Sequence, residues 1–308
     1  MNSFPQYAFR SIRLNQFDNT WAYHIPGDDL NVLWKDYGYF FDDNYHNFKK
    51  IPPENIVKGR ENWDVNYKYN KDFFRSDEFK NNHEKLHVVF SGCSCTEGLG
   101  ENIERTWSYM LNQSINRQIK TSGYFNLGKG GNGWHKIISN HMNYVEKFGN
   151  PQLLFIILPN LMRNFVWLGD QWGYDQQLPM NVETYTLSDD EKSKMPTSEK
   201  YSIAFAEWVV AWSLFIKFCE TNGTRVLWST WDEFDSINIK NSGFFDNTFI
   251  DIAPIPESFL QEISGKIIMN DKNIFARDNH PGYVTHKYWE KRFLEELNIR
   301  GLLTNEND

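Results

Sequence analysis

The chain has 308 residues and a net charge of −8, with 40% apolar and 23% charged residues. That length can bury the core of one large domain or two small ones. The acidic balance, with no basic run, excludes a partner read through a nucleic-acid backbone, and no stretch reaches the ~18 consecutive apolar residues of a membrane-spanning helix.

Residues 1–83 are rich in Asn, Asp, Lys and aromatics and keep no helical or strand period. The chain holds 12 Trp, 15 Tyr and 24 Phe. Aromatic surface of that extent wants burial, so the segment is expected to be an irregular layer packed on the core rather than a disordered tail. Its first residues, MNSFPQYAFRSIRLNQF, lack the apolar region of a signal peptide. Synthesis in the cytoplasm is therefore expected, with later release or packaging in a virion left open. Only three cysteines occur, Cys93, Cys95 and Cys219, and all are expected to be reduced thiols.

From residue 84 to 304 strands and helices alternate. LHVVFSG reads as a strand ending in a turn. ERTWSYMLNQSI follows, with Trp107, Met110, Leu111 and Ile115 on one helical face. GYFNLG is a second short strand, and GWHKIISNHMNYVEKF a second helix stopped by Gly149-Asn150-Pro151. QLLFIIL is a continuous apolar run, the mark of a buried parallel strand. A long helix over SEKYSIAFAEWVVAWSLFIKFCET ends at Asn222-Gly223, TRVLWSTW is the next strand, and GYVTHKYWEKRFLEELNI the last helix. This alternation predicts a three-layer α/β/α sandwich with a parallel, flavodoxin-like sheet. Two insertions, at about 161–198 and 231–277, follow strand ends, where α/β proteins build their sites.

Three chemistries compete at the strand ends. NLGKGGNG carries G-x-G-x-x-G at Gly128, Gly130 and Gly133, but the following strand ends in LPN, without the acid a dinucleotide ribose requires. Cys93, Cys95, His83 and His87 cluster in sequence, yet C-x-C without a second ligand pair is a poor zinc signal. The third possibility is nucleophilic catalysis, which needs a nucleophile, a base, a group to orient the base and oxyanion donors. Ser94 follows the first strand, Gly131 the second and Asn160 the third, while Asp278 and His280 precede the last helix. A parallel sheet brings all these strand ends to one edge.

At this point the chain resembles the SGNH (GDSL-type) hydrolases over roughly residues 86–300. SGCSCTEGLG is similar to the block G-D-S-x-T-x-G through Gly92, Ser94, Thr96 and Gly98, with Cys93 where Asp is commoner. NLGKGGNG resembles the second block, ILPNLMR the third and DNHPG the last. The resemblance implies Ser94 as nucleophile, His280 as base and Asp278 as the orienting acid. It further implies an oxyanion hole of the Ser94 and Gly131 N–H groups and the Asn160 amide. Leu158 and Leu161 replace the Gly and Asp of the third block. The acid three residues before the histidine is replaced by Arg277, so Asp232 and Asp271 are alternative partners for His280. Thr96 is expected to support the turn through its hydroxyl, and Arg163 is a candidate for meeting an anionic group of the substrate.

The implied activity is hydrolysis of acyl esters, acetyl first, on a small molecule or a polysaccharide. It needs no metal and no cofactor. Two other readings stay open: O-acyl transfer by the same chemistry, and a non-catalytic carbohydrate-binding component of a larger assembly such as a virion. Covalent labelling of Ser94 separates the last from the first two.

Overall fold

The computed structural model describes residues 68–72, 74–80, 84–130, 132–161, 166–167, 172–173, 198–256, 258–259 and 281–303. Most of the predicted extension lies outside that set, as do Gly131, Arg163, Asp278 and His280.

In chain order the elements are β1 (Val88–Gly92), the one-turn helix α1 (Ser94–Glu97), α2 (Trp107–Gln118), β2 (Phe125–Asn126), α3 (Trp134–Phe148), β3 (Leu153–Leu158), β4 (Val166–Trp167), β5 (Trp172–Gly173), α4 (Ser198–Thr221), β6 (Arg225–Thr230), α5 (Glu233–Ser242) and α6 (Tyr283–Ile299). β4 and β5 form a separate antiparallel pair. The main sheet is parallel throughout, in the order β2-β1-β3-β6.

The apolar runs explain why these strands are central. Every residue of β1 and β3 is buried, and burying one such aliphatic side chain contributes about 1.5–3 kcal/mol. Because strand side chains alternate between faces, β3 supplies two cores at once. Leu154, Ile156 and Leu158 join one, with Ile137 and Tyr144 of α3 and Trp208 and Trp212 of α4. Leu153, Phe155 and Ile157 join the other, with Trp107, Leu111 and Ile115 of α2 and Val284 and Phe293 of α6. Helices therefore cover both faces, as the alternation predicts. Three Trp residues pack together in this core: Trp208 and Trp212 meet Trp228 of β6 at ring-centroid distances of 5.7 and 5.4 Å.

The chain steps from β1 to β2 through α2 on one face and returns past β1 to β3 through α3 on the other. The direction of winding reverses there, which leaves a crevice outside the carboxyl ends of β1 and β3.

Two features differ from the sequence expectation. Helix α2 starts at Trp107, because Ile103–Arg105 forms a separate 3₁₀ turn and Thr106 is extended. Within the predicted 231–277 insertion, α5 is a regular helix with Asp232 as its N-cap and Gly243, at φ 66°, as its C-cap. The chain then returns to the sheet, where Phe249 bridges Trp228 in parallel.

Candidate active site

Ser94 opens α1, directly beyond the end of β1, and is 7% exposed. The preceding turn requires glycine. Gly92 has φ +154°, and a Cβ there would lie 2.1 Å from Thr96 Oγ1 and 2.6 Å from Ile157 O. The chain can then reverse tightly and present Ser94 at a helix N-terminus, where the first N–H groups have no intrahelical acceptor. Gly98, at φ 77°, closes the turn by donating its N–H to Ser94 O. Thr96 supports this turn by packing over Gly92. Its buried hydroxyl finds no hydrogen-bond partner among the described residues, contrary to the expected hydroxyl role.

Both neighbouring thiols are buried and unbridged, and both enter the core beneath α2 and α6. Cys93 is the N-cap of the helical turn at 94–97, and its Sγ lies 4.0 Å from Ser94 Oγ. Among the described residues no group of His, Cys, Asp and Glu could hold a metal, and none of the helices is long and apolar enough to cross a membrane.

The second glycine-rich loop is tied to the first. Lys129 N and Asn132 Nδ2 donate to Gly92 O at 3.2 and 3.1 Å. Asn126 Nδ2 donates to Thr96 O at 2.8 Å, and its Oδ1 accepts the Gly128 N–H at 2.8 Å. Gly128 must be glycine because a Cβ would sit 2.6 Å from Glu97 N. Glu97, 2% exposed, accepts from Gly130 N at 2.5 Å, Lys129 Nζ at 3.2 Å and Tyr69 Oη at 3.0 Å. Gly131 lies outside the described residues, but Gly130 and Asn132 on either side of it are both held to the Ser94 turn.

Asn160 follows β3. Gly92 of β1 and Ile157 of β3 are paired in the sheet, so Ser94 and Asn160 leave adjacent strands at the same edge. Asn160 Nδ2 donates to Asp232 Oδ2 at 3.0 Å. Asp232, considered from the sequence as a partner for His280, is thus engaged with Asn160 and with the N-terminus of α5, where its Oδ1 accepts the Asp235 N–H at 3.0 Å. Asp278, His280 and Arg163 lie outside the described residues, as does Asp271.

Sequence reasoning missed several supporting residues. Arg75 is fully buried and donates to Gly98 O at 2.5 Å and Glu101 O at 2.8 Å, so it holds the carbonyls at the end of the Ser94 turn. The only signal was a lone cation inside the aromatic stretch DFFRSDEF. Glu101 is also fully buried. Burial pushes its pKa up to about 8, although Arg105 and Arg75 and the backbone at Asn102 and Tyr283 pull the other way. Its Oε2 lies 3.1 Å from Arg105 Nε. His141 is fully buried with Nε2 3.7 Å from Cys219 Sγ, and burial lowers its pKa to about 3. His286 sits in the first turns of α6, where its Nδ1 accepts the Trp107 N–H at 3.3 Å. A cavity of about 480 Å³ lined by Lys68, Tyr69, Arg75, Tyr109 and Tyr124 lies near the β2 edge and includes neither Ser94 nor Asn160.

No family model matches the chain, and no curated protein matches it. Solved structures do. A member of the lipolytic protein G-D-S-L family from Veillonella parvula DSM 2008 is 15% identical, with a TM-score of 0.37 over 68% of this chain and 96% of that one. TesA is 12% identical, with a TM-score of 0.42 over 69% and 98% of the two chains. A family two carbohydrate esterase from Clostridium thermocellum, solved with cellohexaose, is 12% identical, with a TM-score of 0.38 over 70% and 65%. The structural neighbours thus include lipolytic proteins of the G-D-S-L family that the sequence blocks resemble.

Proposed function

We propose that the protein is a serine esterase of the SGNH type, with Ser94 as its nucleophile. One observation carries this reading: Ser94 begins a helical turn at the tip of β1 and Asn160 stands at the tip of the adjacent β3, beside the crevice where the winding of the sheet reverses. A turn that serves only to reverse the chain does not need a serine there, nor a second glycine loop bound to it through Glu97, Asn126 and Asn132.

In this mechanism His280 takes the Ser94 proton as Oγ attacks the ester carbonyl. Asp278 holds the imidazole in the required tautomer and stabilises the imidazolium. The Ser94 and Gly131 N–H groups and the Asn160 amide receive the oxyanion. His280 returns the proton to the leaving alcohol, and water then releases the acyl group by the same steps. Loss of one oxyanion donor raises such a barrier by about 2.7–4 kcal/mol. Arg163, three residues after Asn160, is suited to an anionic group on the substrate.

The substrate class proposed is a small acyl ester, acetyl first, on a carbohydrate. Candidates for sugar stacking include aromatic residues that follow Asn160 in the sequence, Trp167, Trp172 and Tyr174, whereas Trp107, Trp208, Trp212 and Trp228 are committed to the core.

A fluorophosphonate probe should label the wild type at Ser94, located by mass spectrometry, and p-nitrophenyl acetate turnover should vanish in Ser94→Ala. Full turnover in Ser94→Ala would overturn the assignment, and a folded wild type that refuses the probe would favour a carbohydrate-binding component. Acetylated sugars and acyl chains of graded length then define the substrate, and added sugar acceptors separate hydrolysis from acyl transfer.

A further inference from the structure

The end of β6 carries two aspartates for which the acyl-transfer reading has no role. Thr230 Oγ1 and Trp231 N both donate to Leu158 O, at 3.3 and 3.4 Å, so the tips of β3 and β6 are stitched together. Asp232 then caps α5, and Asp235 stands three residues on. In the usual box at a helix N-terminus the acid at that third position reaches back to the N–H of the capping residue. Here Thr230 Oγ1 accepts the Asp232 N–H instead, at 3.1 Å. The fully buried Asp235 carboxylate turns away from its own helix and accepts the Leu161 N–H at 2.7 Å. The second oxygen of Asp232 accepts Asn160 Nδ2 at 3.0 Å. Two carboxylates from one helical turn thus hold the side chain of Asn160 and the N–H of the next residue. Leu161 itself has no side-chain polar group with which to fix that turn.

We propose that Asp232 and Asp235 are positioning residues that set the orientation of the Asn160 amide toward the oxyanion, an inference that rests on the serine-esterase reading. A carboxylate can only accept hydrogen bonds, so the Asn160 amide must present its nitrogen to Asp232 and cannot turn over. The amide carries two N–H donors. Holding one on Asp232 fixes the direction of the other. Asp235 prevents the same result from being lost through backbone rotation, because the Asn160–Leu161 peptide is pinned by its N–H. A negative charge this close to a developing oxyanion is unfavourable, so the arrangement assists catalysis only if the gain in orientation exceeds the repulsion.

Asp232→Asn separates the two effects. Asn caps a helix as well as Asp does, so the carbonyl oxygen of the new side chain keeps the Asp235 N–H. Only its NH₂ is left to face Asn160 Nδ2. Two donors cannot pair, and the Asn160 amide turns over. The expected result is a fall in kcat of about 100-fold, in the range seen for loss of one oxyanion donor, with KM within about threefold. In an Asn160→Ala background the same substitution should cost less than about threefold, since the donor it orients is already gone. Asp235→Asn keeps an acceptor for Leu161 N and should retain most activity, whereas Asp235→Ala should not.

A second readout does not depend on turnover. The Asn160 side-chain amide signals in a ¹H–¹⁵N spectrum, assigned by their loss in Asn160→Ala, should shift in Asp232→Asn. The proposal is overturned if those signals stay in place, if Asp232→Asn is as active as the wild type or more so, or if the Asp232 and Asn160 substitutions act independently. A wild type that turns over no ester while the amide signals still shift would overturn the esterase reading and leave the Asp232–Asn160 contact standing.

Discussion

Removing the charge of Glu97 should destabilise the fold by several kcal/mol, and the loss should be recoverable. Glu97 and Lys129 form a largely buried ion pair at 3.2 Å, with side chains 2% and 12% exposed. The Lys129 ammonium also lies 4.4 Å from the centre of the Tyr69 ring. Burial holds the Lys129 pKa below the ordinary lysine range while Glu97 pulls it back up. Glu97→Gln leaves the shape and the acceptor for Gly130 N but strips the ammonium of this counter-charge. Breaking a buried pair from one side costs about 3–5 kcal/mol, whereas replacing both partners is often close to neutral. Glu97→Gln should therefore lower the urea midpoint by about 1 M or more, taking a slope near 3 kcal/mol per molar. Glu97→Gln with Lys129→Met should recover most of it. The double variant should also keep the proposed esterase activity, because the Gln oxygen still holds Gly130 N. Two results would refute the reasoning: a single variant within ~1 kcal/mol of the wild type, or a double variant as unstable as the worse single.

Gly92→Ala should cost about 3 kcal/mol or more, because its Cβ meets Ile157 O at 2.6 Å, and no side-chain rotation moves a backbone oxygen. Adding Thr96→Ala removes the 2.1 Å contact but not that one, so chemical denaturation should show little rescue. Glu101 is protonated in the fold up to about pH 8 and ionised in the unfolded chain above about 4.5. Between those values the native state binds the extra proton, so this group lowers stability as pH rises, by up to about 1.4 kcal/mol per pH unit. Glu101→Gln should flatten that part of the stability–pH curve, with denaturation midpoints closer to the wild type at pH 5 and higher at pH 8.5; parallel curves would sink the assignment. Buried His141 acts in the opposite sense, losing stability as pH falls below its unfolded value, but it is common to both proteins and cancels.

The sheet was legible because QLLFIIL and LHVVF are apolar on both faces, and only a covered parallel sheet accommodates that. The long helix was legible from its stripe and its Asn222-Gly223 stop. Helix α5 was not, because EFDSINIKNS buries Ile239 while Phe234 and Ile237 stay exposed, so no amphipathic period marks it. Its surviving signals were the capping pattern D-x-x-D and the glycine that ends it. The one-turn helix at Ser94 is too short to have a period at all. Asp232 illustrates a further limit. Its residue type and place marked it as a candidate partner for His280, but sequence distance could not show that its carboxylate accepts from Asn160.

The residues that hold the site lie outside the blocks that resemble known chemistry or, like Glu97, at a variable position within one, and there is a physical reason. A glycine-rich loop can approach another backbone closely because it has no side chains, and for the same reason it cannot lock itself. Its restraint has to come from elsewhere. Glu97 reaches the second loop through Gly130, Asp232 and Asp235 reach the third strand end through Asn160 and Leu161, and Arg75 reaches the first turn from before the sheet begins. Each of these four is an ionisable side chain aimed at a backbone group or an amide, where one charge-assisted bond is stronger than a neutral one. Lys129 offsets the charge of Glu97, but Asp232 and Asp235 bring negative charge near a site proposed to stabilise an anion, so they are tolerable only if their bonds direct a donor that the reaction uses. That condition ties the structural role of these residues to the catalytic one. If the oxyanion assignment is right, removing the charge at Asp232 must slow the reaction in spite of relieving repulsion.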